Sequence, residues 1–154
     1  MKIFIALGSA TKVPHTVYHG TKSRFKNFSE YRPAFFSGSI DYAKEYGHII
    51  WKVHLDIKHL FDTRNDKRAV EIYNDYFIPS GLARPGTKPI KLGDAVHMNY
   101  ADELWSYLAV PEYPAPHYDG LAVSESGVSA LHAKFKDADI AFVPMHISQI
   151  HLEK

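Results

Sequence analysis

The chain has 154 residues and a mass of 17.5 kDa, enough for one hydrophobic core and a single domain over residues 1–154. Its 45% hydrophobic and 23% charged residues are ordinary for a globular protein, and a net charge of +1 points to neither nucleic acid nor membrane. The absence of cysteine excludes disulfides, thiolate metal sites and cysteine nucleophiles and fits a cytoplasmic protein, and no apolar run is long enough for a membrane-spanning helix.

Residues 2–7 read as a first strand, since their apolar run is too short for the core of a secretory leader. Residues 15–19 read as a second strand, rich in β-branched and aromatic types. Residues 21–31 form a polar loop with Phe25 and Phe28 as apolar anchors and Lys22, Arg24 and Lys26 as a small basic cluster. Pro33 leads into a short strand over 34–37. Ser39 is placed to cap a helix through Ile40, Tyr42, Ala43 and Tyr46, and Gly47 to stop it. A long strand comes next, over 48–56.

Asn65-Asp66 opens a second helix, with Ala69, Val70, Ile72, Tyr73 and Phe77 available for its buried face. Residues 79–93 hold three glycines and three prolines and read as loop. A third helix is expected over 100–109, and Pro111, Pro114 and Pro116 keep the segment after it irregular. Asp119-Gly120 reads as a turn feeding a strand that runs through Val123. Residues 124–137 fit no single element. Strands over 140–143 and 147–152 close the chain.

Strands thus come early and late, with helices between them. That order predicts an α+β fold with a largely antiparallel, split or sandwich-like sheet and a few short helices. The G-x-G-x-x-G fingerprint and the P-loop are both missing, so a nucleotide site of the Rossmann or P-loop type is not expected. His-Glu-x-x-His and Gly-x-Ser-x-Gly are missing too, and His15 and His19, four apart on a strand-like stretch, share no helical face.

One constellation carries chemistry. Thr16-Val17-Tyr18-His19-Gly20-Thr21 is followed by Phe25 and Phe28, then Ala34-Phe35-Phe36-Ser37, then Ala43 and Tyr46. Singly these residues are ordinary: a lone histidine is more often a satisfied core or surface residue, and paired phenylalanines are more often core. In order and spacing they resemble the N-terminal half of the ADP-ribosyltransferase fold. The likeness is to small phage, polyvalent-type and toxin-like forms, and more distantly to the poly(ADP-ribose) polymerase catalytic domain. It covers residues 15–56 well and 117–152 loosely, and residues 57–116 match no known pattern.

The resemblance implies an NAD-dependent mono-ADP-ribosyltransferase, with NAD as substrate, no metal, and a macromolecular acceptor that is a protein or a nucleic acid. His19 would bond ribose hydroxyls. Gly20 would present bare backbone to the nicotinamide amide, an approach that only glycine leaves room for. Thr21 would hold the adenosine ribose or simply start the loop. Phe35 stands where the polymerase pattern has the tyrosine of its His-Tyr-Glu triad, and Phe36 lies beside it. Ser37 would reach a ribose or the amide. Tyr46 matches a second tyrosine eleven residues on, which stacks on nicotinamide. His19, Phe35 and Tyr46 are expected around one cleft, on one face of the sheet. The catalytic carboxylate departs from the pattern: Asp139, at the head of the late strand, ranks first, and Glu125 second, while Asp119 reads as a turn former. Two alternatives stay open. One is a non-catalytic nucleotide- or protein-binding module on the same fold. The other is a nucleic-acid-directed relative that modifies bases or removes phosphate from RNA.

Overall fold

The computed structural model describes residues 12–108, 118–124 and 140–153. The strand expected over 2–7 and most of the 124–137 stretch lie outside them. In chain order the described elements are β1 (Val17–Thr21), β2 (Phe36–Ser37), α1 (Ile40–Lys44), β3 (Ile49–Leu55), β4 (Leu60–Asp62) and α2 (Lys67–Ile72). A π-type turn over Tyr73–Phe77 extends α2, and a 3-10 turn over Met98–Tyr100 runs into α3 (Ala101–Leu108). Then come β5 (Gly120–Ser124), β6 (Ile140–Pro144) and β7 (Ile150–Leu152).

The helix starts obey the sequence. The Ser39 hydroxyl accepts from the Tyr42 amide at 3.2 Å and opens α1; the Asp66 carboxylate accepts from the Arg68 amide at 3.0 Å and opens α2. Of the expected buried face of α2, Ala69, Ile72, Tyr73 and Phe77 are buried, whereas Val70 is half-buried. Asp119 does not form the expected turn: residues 118–119 run straight into β5, and its side chain serves a distant segment instead. Its carboxylate accepts from the amides of Lys58 (3.0 Å) and His59 (2.7 Å), tying the approach to β4 onto the start of β5.

The strands form one seven-stranded sheet in the order β4-β5-β6-β2-β1-β3-β7. Every neighbouring pair is antiparallel except β4 and β5, which run parallel. The sheet is thus largely antiparallel, as expected, with one parallel pair. The reason lies between the two strands. Parallel neighbours need a long crossover, and residues 63–119, with α2 and α3 inside them, supply it. β4 itself was not foreseen, because three residues are too few to show an alternation.

The sheet is nearly divided at β2. One half is β1, β3 and β7; the other is β4, β5 and β6. The two residues of β2 join them, through Tyr18↔Ser37 on one side and Phe36↔Phe142 and Ser37↔Ala141 on the other. Core packs on both faces. Leu121, Val123, Ala141 and Val143 belong with Phe61, Phe77 and Leu104 on the face carrying α2 and α3. Ala122 and Phe142 belong with Val17, Phe36, Val53 and Leu55 on the other. β5 and β6 are therefore buried at every position, which is why they read as unbroken apolar runs.

Candidate functional site

A cavity of about 110 Å³ sits where β1, β2 and α1 meet. That volume is on the scale of one aromatic ring, since a cavity of about 150 Å³ holds a benzene. β1 contributes Tyr18, His19 and Gly20, and the approach to β2 and β2 itself contribute Phe35, Phe36 and Ser37. α1 and the turn after it contribute Tyr42, Ala43 and Tyr46, and Met98 and Ala141 close the cavity from the other half of the sheet.

The seating of α1 depends on one glycine. A Cβ on Gly20 would lie 1.7 Å from the Ala43 carbonyl oxygen, so no other residue lets the helix come this close to β1. Tyr18, Ser37 and Ala141 are successive cross-strand partners and share the α1 face with Gly20. Tyr42 on α1 and Tyr46 in the turn that continues it are four apart and lie on one side. Their hydroxyls are 3.0 Å apart and their rings meet edge to face at 5.6 Å. Tyr42 is buried and Tyr46 is 42% exposed, so the pair runs from the cavity interior to its mouth. Ser37 is buried, and its oxygen accepts from the Ser39 amide at 3.0 Å. The hydroxyl proton has no acceptor among the described residues.

His19 departs from the expected arrangement. Alternation along β1 puts its ring on the opposite face from Gly20 and α1. There it packs against Phe28 at 5.2 Å and Phe36 at 5.5 Å, beside a Phe25–Trp51 stack with centroids 4.8 Å apart. The expectation of one shared face is corrected. His19 nevertheless borders the cavity: β1 and β2 pair at Tyr18↔Ser37, and past that pair the imidazole bonds the approach to β2. Its Nδ1 lies 2.8 Å from the Phe35 carbonyl oxygen. A carbonyl can only accept, so Nδ1 carries the proton and Nε2 of the neutral ring is left as an acceptor. Nε2 has no partner among the described residues. Burial pushes the His19 pKa below its ordinary 6.5, against the opposing pull of the Phe35 hydrogen bond, and the ring is neutral.

Six of the seven residues expected to hold the nucleotide thus border one cavity: His19, Gly20, Phe35, Phe36, Ser37 and Tyr46. Thr21 does not. Its hydroxyl donates to the Ser23 carbonyl at 3.2 Å and accepts from the Ser23 amide at 3.3 Å, so it starts the loop. Sequence reasoning did not assign Tyr18, Tyr42, Ala43, Met98 or Ala141 to the site. The spacing of Tyr42 from Tyr46 was a readable signal for Tyr42; nothing local marks Met98 or Ala141, which arrive through the crossover and the β2–β6 pairing. Asp139 and Glu125 lie outside the described residues. Their chain neighbours Ile140 and Ser124 are cross-strand partners, one residue along β6 from the cavity residue Ala141.

Among the described residues no group of three histidine, aspartate or glutamate side chains is placed to hold a metal ion. Nor is any described helix long and apolar enough to cross a membrane. No family model, curated protein or solved structure matches the chain.

Proposed function

We propose that this cavity receives the nicotinamide end of NAD and that the protein is an ADP-ribosyltransferase-like enzyme transferring one ADP-ribose to a macromolecule. The observation that carries the reading is the meeting of four features around a ring-sized space. These are the Gly20 backbone, the Tyr42–Tyr46 pair, Phe35, and an imidazole held in one tautomer. The near-division of the sheet at β2 supports the same fold reading.

Each part has a role. A pyridinium over the Tyr46 or Phe35 face gains about 0.5–2 kcal/mol from the ring quadrupole. The Ser37 hydroxyl donates to the amide oxygen, and neutral Nε2 of His19 accepts from a ribose hydroxyl. The nicotinamide–ribose bond breaks with its electron pair leaving on nicotinamide, which departs neutral. The acceptor forms the new bond to the ribose carbon and gives its proton to a carboxylate. Asp139 or Glu125 is that carboxylate and steadies the oxocarbenium-like sugar.

The test is to incubate the protein with NAD and candidate acceptors and measure free nicotinamide. Wild type should release it. One of Asp139→Asn and Glu125→Gln should cut turnover about a hundredfold or more while NAD affinity stays within a few fold, because the carboxylate acts in the transition state. Turnover untouched by either change would remove both assignments. NAD binding with no turnover would instead favour the binding-module reading, which the missing hydroxyl at Phe35 supports.

A further inference from the structure

A second opening lies immediately beside the cavity. It is an open groove of about 700 Å³, lined by Lys22, Lys44, Glu45, Gly47 and His48. Its lining residues adjoin those of the cavity along the chain, with none in common. Lys22 lies two residues past Gly20 at the end of β1, and Lys44 and Glu45 lie between Ala43 and Tyr46 at the end of α1. Gly47 closes the wall from the other side: a Cβ there would fall 2.2 Å from the Thr21 carbonyl oxygen and 2.5 Å from the Lys22 amide nitrogen. Backbone is thus pressed on backbone, fixing where the Lys22 and Lys44 stems begin. Both lysines are exposed, and neither they nor Glu45 has an ion-pair partner among the described residues. Two unneutralised ammonium groups with an imidazole beside them attract a compact anion, and the single carboxylate only partly offsets them.

We propose that this groove is a phosphate site. The phosphate has two possible sources: the pyrophosphate of a dinucleotide whose ring sits in the cavity, which rests on the nicotinamide reading, or the backbone of a nucleic-acid acceptor, which does not. Glu45 then works against binding, so removing its charge tightens what removing the lysine charges loosens.

The experiment titrates the full chain with inorganic pyrophosphate, ADP-ribose, a short single-stranded oligonucleotide and nicotinamide, at low and high salt. Wild type should bind pyrophosphate, and more weakly as salt rises, because exposed charges are screened. The double variant Lys22→Gln/Lys44→Gln should weaken that binding about tenfold, the combined scale of two exposed charge contacts. Glu45→Gln should strengthen it a few fold. Nicotinamide is uncharged and should respond to neither change. Loss with ADP-ribose alone assigns the groove to the dinucleotide; loss with the oligonucleotide alone assigns it to the acceptor. Pyrophosphate binding that ignores the double variant would overturn the proposal, as would an equal loss in Lys58→Gln/Lys67→Gln, which removes the same charge elsewhere. Nicotinamide that fails to bind while pyrophosphate binds would sink the cavity reading and leave the groove standing.

Discussion

His19 illustrates how much one residue's surroundings decide. The sequence places it at a strand end before a glycine, which marks it as a candidate but says nothing of the direction of its ring. Direction comes from strand alternation and from Phe25, Phe28 and Phe36, which draw the imidazole to the face away from α1. Burial there lowers its pKa below 6.5, so in the folded state it stays neutral at pH values where the unfolded chain takes up a proton. The unfolded state then binds more protons, and stability falls as pH drops from about 6.5 toward the folded pKa. His19→Asn keeps a donor for the Phe35 carbonyl and removes the titration. Chemical denaturation of both proteins from pH 8 to pH 5 should show wild type losing stability relative to the variant below about pH 6.5. A difference independent of pH would mean that the ring is not desolvated.

At the scale of elements, α1 was the most legible piece and β4 the least. Ser39 and the Tyr42–Tyr46 spacing each carry a local signal with a physical cause, and the helix starts at the expected residue. It ends at Lys44, short of the expected Tyr46, and Gly47 serves its close contact with the Thr21 and Lys22 backbone rather than a helix stop. β4 has three residues and takes its place from a partner more than fifty positions away, so no window of sequence reveals it. The junction of α1 with β1 is the element contact on which the cavity depends. Gly20→Ala would force the Ala43 carbonyl outward, and overpacking of this kind costs about 1–3 kcal/mol. Gly81→Ala is the natural comparison: its φ is +82° with open space around it, so it carries backbone strain of about 1–2 kcal/mol without a steric clash. Both variants should lose comparable stability in urea. Only Gly20→Ala should also abolish ligand binding at the cavity, since only there does the helix move. Undiminished binding in Gly20→Ala would separate the cavity from the site.

For the whole molecule, the question is whether a sheet joined through two residues behaves as one body. Element order anticipated the α+β class, because that depends on the chain-wide succession of strands and helices. The narrow joint was not legible, since the two residues of β2 matter through their partners rather than their own types. Two arguments favour a single cooperative unit. Phe36 is 1% exposed and packs with residues of both halves, among them Val17 and Val53 on one side and Ala122 and Phe142 on the other. The cavity likewise takes Gly20 and Tyr46 from one half and Ala141 from the other. A large core side chain removed at such a joint costs about 3–5 kcal/mol, and the cost falls on both halves at once. Phe36→Ala should therefore shift the entire unfolding curve to lower denaturant, with tryptophan fluorescence and far-UV circular dichroism still reporting coincident transitions. Trp51 lies on β3 in one half and Trp105 on α3 beside the other, so the two tryptophans sample both. Two separated transitions, with one unmoved by the substitution, would show that the halves fold independently and that a ligand at the split does not bridge a common core.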